Sequence, residues 1–295
     1  MTAPMTVLCA GRLYCDLVFT DLDAAPAAGR EVFAGGLNLR AGGGAFITAA
    51  YLGREGLEAG LITTRPAAPF DQLLDQEIAG AGITAHFVDG TACEAPQVTV
   101  AFPQNNDRAF LTRRVGAAIP PLSALPKAAH LHIGELTTAL EHGDLIPMAR
   151  AAGMTISLDC AWDAAALGQP GIAQTIASVD LFFPNEAEQA ELARNGVSAA
   201  PRIATIVKRG VAGAEYRPAT GNVLTAPAFQ AVVRDLTGAG DAFNGGFLAA
   251  WLAGRGPSEA LIQGNRLGAE AVSQIGGFGA PTSRPEGNVM LAAGQ

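Results

Sequence analysis

The feature that most constrains this sequence is a regular alternation of short apolar runs with stretches of helical pattern. Such runs, typical of buried strands, lie at 6–11, 57–62, 83–88, 129–133, 154–158, 181–184 and 203–207. Helical stretches lie at 45–54, 70–80, 141–152, 171–177, 186–195, 242–253 and 258–275. This alternation predicts an α/β fold with a doubly wound, mostly parallel sheet and helices on both faces. Ligand sites are then expected at the carboxyl ends of the strands.

Some segments do not fit the alternation and predict a small antiparallel β lid. They lie at about 12–19, 30–40 and 97–114, and the last contains a polar turn typical of a hairpin. Since no linker or repeat divides the chain, we expect residues 1–295 to form a single domain with a discontinuous lid. The hairpin carries more apolar surface than a lone flap should expose, which favours a homodimer through the lid. The apolar side chains concerned are Val98, Val100, Phe102, Phe110 and Leu111.

Composition excludes several classes of protein. The formal net charge is -8, and lysine occurs only at Lys127 and Lys208, so the clustered basic charge of a nucleic-acid-binding protein is missing. The cysteines form no C-x-x-C pair, and the N-terminus lacks the basic region of a signal peptide. No apolar run approaches the roughly 18 residues of a membrane span. We therefore expect a cytoplasmic protein that contacts neither membrane nor nucleic acid.

The strongest motif runs from Asp235 to Phe247 with the sequence DLTGAGDAFNGGF. The turn Gly238-Ala239-Gly240 leads directly into a helical apolar run, so its N–H groups converge at a helix N-terminus and form an anion site. Asp241 would lie in the first turn of that helix. A carboxylate there can accept a proton from a hydroxyl while the N–H groups hold a phosphoryl group in transfer. The motif therefore predicts phosphoryl transfer with Asp241 as the general base.

Two other interpretations use the same residues. Gly238-Ala-Gly240 matches the start of the dinucleotide fingerprint G-x-G-x-x-G, but Phe243 holds the third glycine position and the motif lies near the C-terminus. Alternatively, the segment is a plain glycine turn with Asp241 as a helix cap. A Walker A loop is excluded because neither lysine follows a glycine.

The motif resembles the C-terminal signature D-T-x-G-A-G-D-x-F of the ribokinase-like (PfkB) carbohydrate kinases, with Leu236 replacing the usual Thr. Further family landmarks follow in order over essentially the whole chain: Tyr14-Cys15-Asp16-Leu17, Gly42-Gly43-x-x-x-Ile47, Asn185-x-x-Glu188 and Lys208-Arg209-Gly210-x-x-Gly213. The resemblance implies the doubly wound fold with a β lid. It also implies an ATP-dependent kinase that transfers the γ-phosphate to a hydroxyl of a sugar or sugar-like molecule.

The resemblance also implies roles for individual residues. The anion hole would comprise Gly238, Ala239 and Gly240, and the acceptor would contact Asp16, Gly42, Gly43 and Ile47. The nucleotide would contact Asn185, Lys208, Gly210, Gly213, Thr237, Asn265 and Ala269. Glu188 would act on Mg²⁺ through water, and Asp235 would belong to a monovalent-cation loop, which implies activation by K⁺.

This sequence departs from the family pattern at Ile47, where Asn is usual. Because Ile can neither donate nor accept, a hydroxyl pressed against it would lose about 1–3 kcal/mol. The preferred acceptor is then expected to lack a hydroxyl at that point or to present an apolar face. A second register, set by Leu52-Gly53, places Gly44 at the Asn position and makes Ile47 a core residue. Both registers lack the Asn.

Several local interpretations remain beside the functional ones. Asn185 and Glu188 have the spacing of a helix capping box, which can coexist with a metal role. Arg108 next to Asp107 is expected to form a surface pair on the hairpin. A nucleoside kinase on the same fold and a non-catalytic nucleotide- or sugar-binding regulator are the alternative functions. Asp241 argues against the regulator, because a binding protein needs no base.

Overall fold

The computed structural model of the protein describes residues 6–87, 94–104 and 107–279. The predicted strand end at Val88 and the centre of the hairpin turn at residues 105–106 lie outside the described residues. Within the described ranges, no helix is long and apolar enough to cross a membrane.

The strands form two sheets, and their numbering follows the chain. The strands are β1 (Thr6–Ala10), β2 (Tyr14–Leu22), β3 (Ala34–Gly42), β4 (Glu58–Ile62), β5 (Thr84–His86), β6 (Val98–Gln104), β7 (Asp107–Arg113), β8 (His130–Ile133), β9 (Thr155–Asp159), β10 (Leu181–Phe183), β11 (Ala204–Lys208), β12 (Ala214–Pro218) and β13 (Leu224–Ala226). The main sheet has the order β13-β12-β11-β10-β9-β8-β1-β4-β5. It is parallel from β11 to β5, while β12 and β13 add an antiparallel edge.

Helices cover both faces of this sheet, as the alternation predicts. They are α1 (Gly44–Arg54), α2 (Asp71–Gly80), α3 (Leu136–Glu141), α4 (Leu145–Ala151), α5 (Ile172–Ser178), α6 (Glu186–Arg194), α7 (Ala239–Leu252) and α8 (Pro257–Ala271). One buried apolar cluster contains side chains of α1, α2, α7 and α8, among them Phe46 and Phe247. A second contains side chains of α3 to α6, among them Leu145 and Ile176. The doubly wound α/β fold is confirmed.

Two local predictions differ from the structure. The single helix predicted at 141–152 is two short helices, α3 and α4, separated after Glu141. Pro147 has no N–H to donate to a helix running through from residue 141, whereas the first turn of a new helix tolerates it. The antiparallel hairpin of β12 and β13 was not predicted, although residues 214–217 alternate between apolar and polar side chains; the two strands are only five and three residues long.

The lid is a separate sheet with the order β3-β2-β6-β7. It is mixed and not antiparallel throughout as predicted, because β2 and β6 run parallel. Side chains alternate between its two faces. The inner face, which carries the buried Asp16, also carries Arg40, Arg108 and Phe110; the outer face carries Leu17, Leu39, Val100 and Leu111 in one row across the strands.

Candidate active site

Asp241 lies in the first turn of α7, at the carboxyl ends of the parallel strands. Gly238 is the N-cap of this helix and has φ 74°, a left-handed conformation that favours glycine. A β carbon there would lie 2.6 Å from the Cα of Gly277, so the turn also requires a residue without a side chain. The first N–H groups of a helix have no acceptor within it. The one on Ala239 makes a long 3.3 Å bond to the carbonyl of Leu236.

The environment of Asp241 raises its pKa to about 8. Burial is the main cause, and the neighbouring carboxylate of Asp159 adds to it, while the positive charge of Lys208 opposes the shift. A general base is most effective when its pKa lies near the working pH. The position of Asp241 at an anion site and its raised pKa therefore suit the removal of a proton from a hydroxyl.

A charged network lies below the start of α7. Lys208, the last residue of β11, donates from Nζ to both carboxylate oxygens of Asp159, at 2.8 and 3.0 Å. Asn244 donates to Asp159 Oδ2 at 2.6 Å. Burial alone would lower the pKa of Lys208, but Asp159 and Glu188 outweigh it and the pKa is raised, so the ammonium stays charged. A β carbon at Gly240 would lie 3.3 Å from Nζ, which places this charge directly under the anion site.

Sequence analysis assigned no functional role to Asp159 or Asn244, although signals existed for both. Asp159 follows the predicted strand 154–158 at its carboxyl end, where ligand sites are expected. Asn244 lies within the glycine-rich motif, one helical turn after Asp241.

Asn185 and Glu188 form the predicted capping box at the start of α6. Asn185 Oδ1 accepts from the Glu188 N–H at 2.8 Å, and Glu188 Oε2 accepts from the Asn185 N–H at 2.7 Å. The backbone of Asn185 also pairs with that of Lys208 in an isolated parallel β-bridge. This pairing brings Glu188 close to the charged network of Lys208 and Asp159. The Glu188 side chain is buried, and burial raises its pKa to about 7 while Lys208 opposes the shift.

The residues predicted to hold the acceptor, Asp16 and the glycines at the end of β3, lie close together. Asp16 is 4% exposed, and its carboxylate covers Gly42 so closely that a β carbon there would lie 2.0 Å from Oδ2. Gly43 has φ 102°, and a β carbon there would lie 2.2 Å from the carbonyl oxygen of Arg12. Burial, followed by the charge of Asp235, raises the pKa of Asp16 to about 7.

The predicted contact of Ile47 with the acceptor stays a prediction. Ile47 is 2% exposed, and its Cδ1 packs against the backbone of Gly238 and Gly277 beneath the anion-site loop. Gly44 lies next to Asp241: a β carbon on Gly44 would lie 2.9 Å from Asp241 Oδ1 and 2.7 Å from the carbonyl oxygen of Gly134. Both registers therefore place a residue without hydrogen-bonding side-chain atoms close to the anion-site loop or to Asp241.

Two further acidic and basic groups that sequence reasoning missed lie beside these glycines. Glu135, which follows β8, accepts from the backbone N–H of Arg12 at 3.1 Å and from Thr138 Oγ1 at 2.9 Å. The Arg12 guanidinium is buried and binds both carboxylate oxygens of Glu141 at 2.7 and 2.8 Å. Burial raises the pKa of Glu135. An isolated Arg and Glu outside any motif give no sequence signal for this arrangement.

On the nucleotide side, the predicted residues divide into two groups. Thr237 is 8% exposed and its Oγ1 has no hydrogen-bond partner among the described residues, so it is available to a ligand oxygen. Asn265 instead donates to the carbonyls of Ala226 and Pro227 at 3.1 and 3.0 Å and holds the end of β13 in place. Gly213 has φ 84° and packs on the carbonyl oxygen of Ala226, so it shapes the same edge.

For Gly210 and Ala269, the remaining residues predicted to contact the nucleotide, the structure gives the position but no contact that tests the role. Gly210 has φ 54° and open space where a side chain would lie. Ala269 lies in α8 and is half-buried.

The predicted pairing of Arg108 with Asp107 involves a side chain that lies outside the described residues, so the pairing stays a prediction; Arg108 itself, expected at the surface, has a buried side chain. Its Nε lies 2.7 Å from Oδ1 of Asp235, and the side chains of Arg108 and Asp235 are 7% and 0% exposed. Asp235 Oδ1 also accepts from the Thr237 N–H at 2.8 Å, and Oδ2 accepts from the Gly276 N–H at 2.8 Å. The side chain points to the anion-site loop because Arg108 lies on the inner face of the lid.

This combination of fold and site is typical of a small-molecule kinase: a helix N-terminus suited to bind an anion and a buried carboxylate suited to act as a base lie beside a doubly wound sheet and a small β sheet. The sequence matches the pfkB family carbohydrate kinases over residues 6–282. The chain belongs to this family and is an ATP-dependent sugar kinase.

Similar proteins include the ATP-dependent ribose-1-phosphate kinase of Halopiger xanaduensis, which is 29% identical over 94% of this chain and 95% of its own length. The inositol 3-kinase of Zea mays is 43% identical over 81 residues, which are 28% of this chain and 20% of that protein. Among solved structures, a probable sugar kinase from Rhizobium etli has a TM-score of 0.78 at 20% identity, covering 92% of this chain and 94% of its own. The last likeness shows the fold.

Proposed function

We propose that this kinase phosphorylates a hydroxyl of an uncharged polyhydroxylated acceptor, a free sugar or cyclitol, with Asp241 as the general base. The observation that carries the proposal is the charge around the acceptor side. Asp16 lies close enough to Asp241 for its negative charge to contribute to the raised pKa of Asp241. Carboxylates accept hydrogen bonds from hydroxyl groups and repel an anionic acceptor.

The arginines of the surrounding segments do not offset this negative charge for a ligand, because each is already paired. Arg12 binds Glu141 at 2.7 Å, Arg40 binds Glu77 at 2.8 Å, and Arg108 binds Asp235 at 2.7 Å. Recognition of a phosphate group normally uses Arg in bidentate pairs. The relatives act, by name, on both kinds of acceptor, ribose 1-phosphate and inositol. The paired arginines favour the uncharged kind.

In the proposed reaction, Asp16 orients the acceptor above Gly42 and Gly43 by accepting from its hydroxyls. Asp241 takes the proton of the attacking hydroxyl as the oxygen bonds to the γ-phosphorus of ATP and the bond to the β-phosphate oxygen breaks. The N–H groups of the Gly238–Gly240 turn stabilise the charge on the migrating phosphoryl group. Such positioning and charge stabilisation are the main demands of phosphoryl transfer.

We further propose that Thr237, Lys208 and Asn185 lie along the ATP phosphates. Mg²⁺ in nucleotide sites keeps several waters and needs only one or two carboxylates besides the phosphates. The buried carboxylate of Glu188 beside Lys208 fits that need, acting through water, and Mg²⁺ would neutralise phosphate charge there. We do not extend the proposal to K⁺, because both oxygens of Asp235 already accept hydrogen bonds.

A nucleoside acceptor is the second candidate. It is favoured by Phe110, which lies on the inner face of the lid and is 54% exposed, where it can pack on a flat apolar ring. A second copy of the chain is the proposed partner of the outer face of the lid. The cytoplasmic location stays a prediction.

A panel of acceptors with Mg-ATP tests the proposed function. The acceptors are ribose, fructose, myo-inositol, adenosine and ribose 1-phosphate, with ADP release as the readout and Asp241→Asn as the blank. We expect a neutral sugar or cyclitol to give the highest kcat/KM. Highest efficiency with ribose 1-phosphate would contradict the proposal and would require one of the paired arginines to change partner.

A further inference from the structure

We propose that Arg108 takes the place of a monovalent cation at the anion-site loop, so that turnover by this kinase does not depend on K⁺. The inference rests on the proposed role of the Gly238–Gly240 turn as the phosphate site. Arg108 is a positioning residue in this account: it acts on the loop through Asp235 and contacts neither substrate.

Both oxygens of the Asp235 carboxylate are already engaged by donors of the protein, one of which carries a positive charge. Oδ1 accepts from the Thr237 N–H at 2.8 Å and lies 2.7 Å from Arg108 Nε, and Oδ2 accepts from the Gly276 N–H at 2.8 Å. The Asp235 side chain is 0% exposed. A buried carboxylate needs a compensating positive charge, and here the guanidinium supplies it.

The guanidinium is held in place by more than this ion pair. Arg108 Nη2 donates to the backbone carbonyl of Arg234 at 2.9 Å, and the side chain is 7% exposed. The planar guanidinium thus binds two successive residues, Arg234 and Asp235. A spherical ion could bind these same residues only by displacing the guanidinium. K⁺ would have to displace the positively charged Arg108 side chain. Because this side chain is covalently part of the protein, its local concentration at Asp235 does not depend on the salt in solution.

The position of Arg108 in the chain gives this pair a second consequence. Arg108 belongs to β7 of the lid, on the face that carries Asp16, while Asp235 precedes the turn that begins α7. Since Asp235 also binds the N–H of Thr237, the pair connects the lid to the residue before Gly238. When the lid packs against the anion-site loop, the same contact therefore orders the turn proposed to bind phosphate.

The test compares wild-type protein in KCl and in choline chloride at equal ionic strength, with the best acceptor of the panel. We expect kcat in the two salts to agree within about twofold, whereas Arg108→Ala should lose about tenfold or more in kcat in choline chloride. Added K⁺ or guanidinium should restore part of that loss in the variant. A wild-type kcat that rises severalfold with K⁺, or an Arg108→Ala variant with wild-type turnover in choline chloride, would overturn the proposal.

Controls separate this inference from other failures. Arg113→Ala removes an arginine from the same strand that binds only the Pro96 carbonyl among described residues, and it should behave as wild type in both salts. The double variant that combines Asp235→Asn and Arg108→Ala should lose no more turnover than the worse of the two single variants, because both changes remove one contact. Additive losses in the double variant would count against a role for this contact. If Arg108→Ala does not fold, the comparison of wild-type kcat in KCl and in choline chloride still tests whether turnover depends on K⁺. No turnover in any salt with any acceptor would instead contradict the proposed function.

Discussion

Gly44 lies directly against Asp241, and a β carbon on Gly44 would come within 2.9 Å of Asp241 Oδ1. The contact connects the start of α1 to the start of α7, and Thr48 strengthens it by donating to the Asp241 carbonyl at 3.2 Å. The missing side chain of Gly44 thus leaves room for the carboxylate.

Gly44→Ala should lower kcat, because the added methyl group must displace the carboxylate of Asp241 or the carbonyl of Gly134. A misplacement of about 1 Å can cost about 10²-fold in rate. Gly80→Ala is the matched control, since nothing lies within 4 Å of a β carbon there. Steady-state kinetics with the best acceptor gives the comparison. Equal kcat for the two variants would show that Gly44 does not support the base.

The pH dependence of kcat/KM should report the raised pKa of Asp241. The carboxylate must be deprotonated to act, so kcat/KM should fall as the pH falls through about 8. Because Lys208 opposes the upward shift of the Asp241 pKa, Lys208→Met should move the acidic limb of the pH profile to higher pH. The same change should also weaken nucleotide binding. Lys127→Met changes the other lysine of the chain, which is exposed, and should leave the limb in place. An unmoved limb in Lys208→Met would contradict the assignment.

The outer face of the lid should mediate self-association. Leu39 and Leu111 lie in one row of this face and are 39% and 70% exposed. Lysine at both positions should convert a dimer to a monomer in sedimentation experiments, because the charges cannot be desolvated in an apolar interface. Val211→Lys, at a position 99% exposed outside the lid, is the control. A wild-type monomer at micromolar concentration would rule out this dimer.

The fold was predictable because the alternation of apolar runs and helical stretches is a local signal that the tertiary structure reinforces. The glycine-rich motif was predictable for the same reason, since its turn, helix start and base are adjacent in sequence. The strands β12 and β13 escaped prediction because five and three residues are too few for a clear strand signal, and β13 at the edge of the sheet is mostly exposed.

The rest of the site depends on contacts between distant segments. Arg108 and Asp235 are 127 residues apart, by the difference of their numbers, and strand alternation shows only that Arg108 shares a face with Phe110. Which face meets the anion-site loop is decided by how the lid packs. Likewise, the sequence fits both registers at the start of α1, and the positions of Ile47 under the anion-site loop and of Gly44 beside Asp241 depend on how α1 packs against α7.

Turnover of Asp241→Asn is the most direct test of the central claim that Asp241 is the general base. The change keeps the shape of the side chain but removes its ability to take a proton, so kcat should fall by about 10²–10⁴. Binding of ATP, measured by calorimetry, should stay near the wild-type value, since the anion site itself is unaltered. Asp144→Asn, an exposed carboxylate without a capping bond, is the matched control and should retain full activity. Near-normal kcat in Asp241→Asn with the best acceptor would contradict the account.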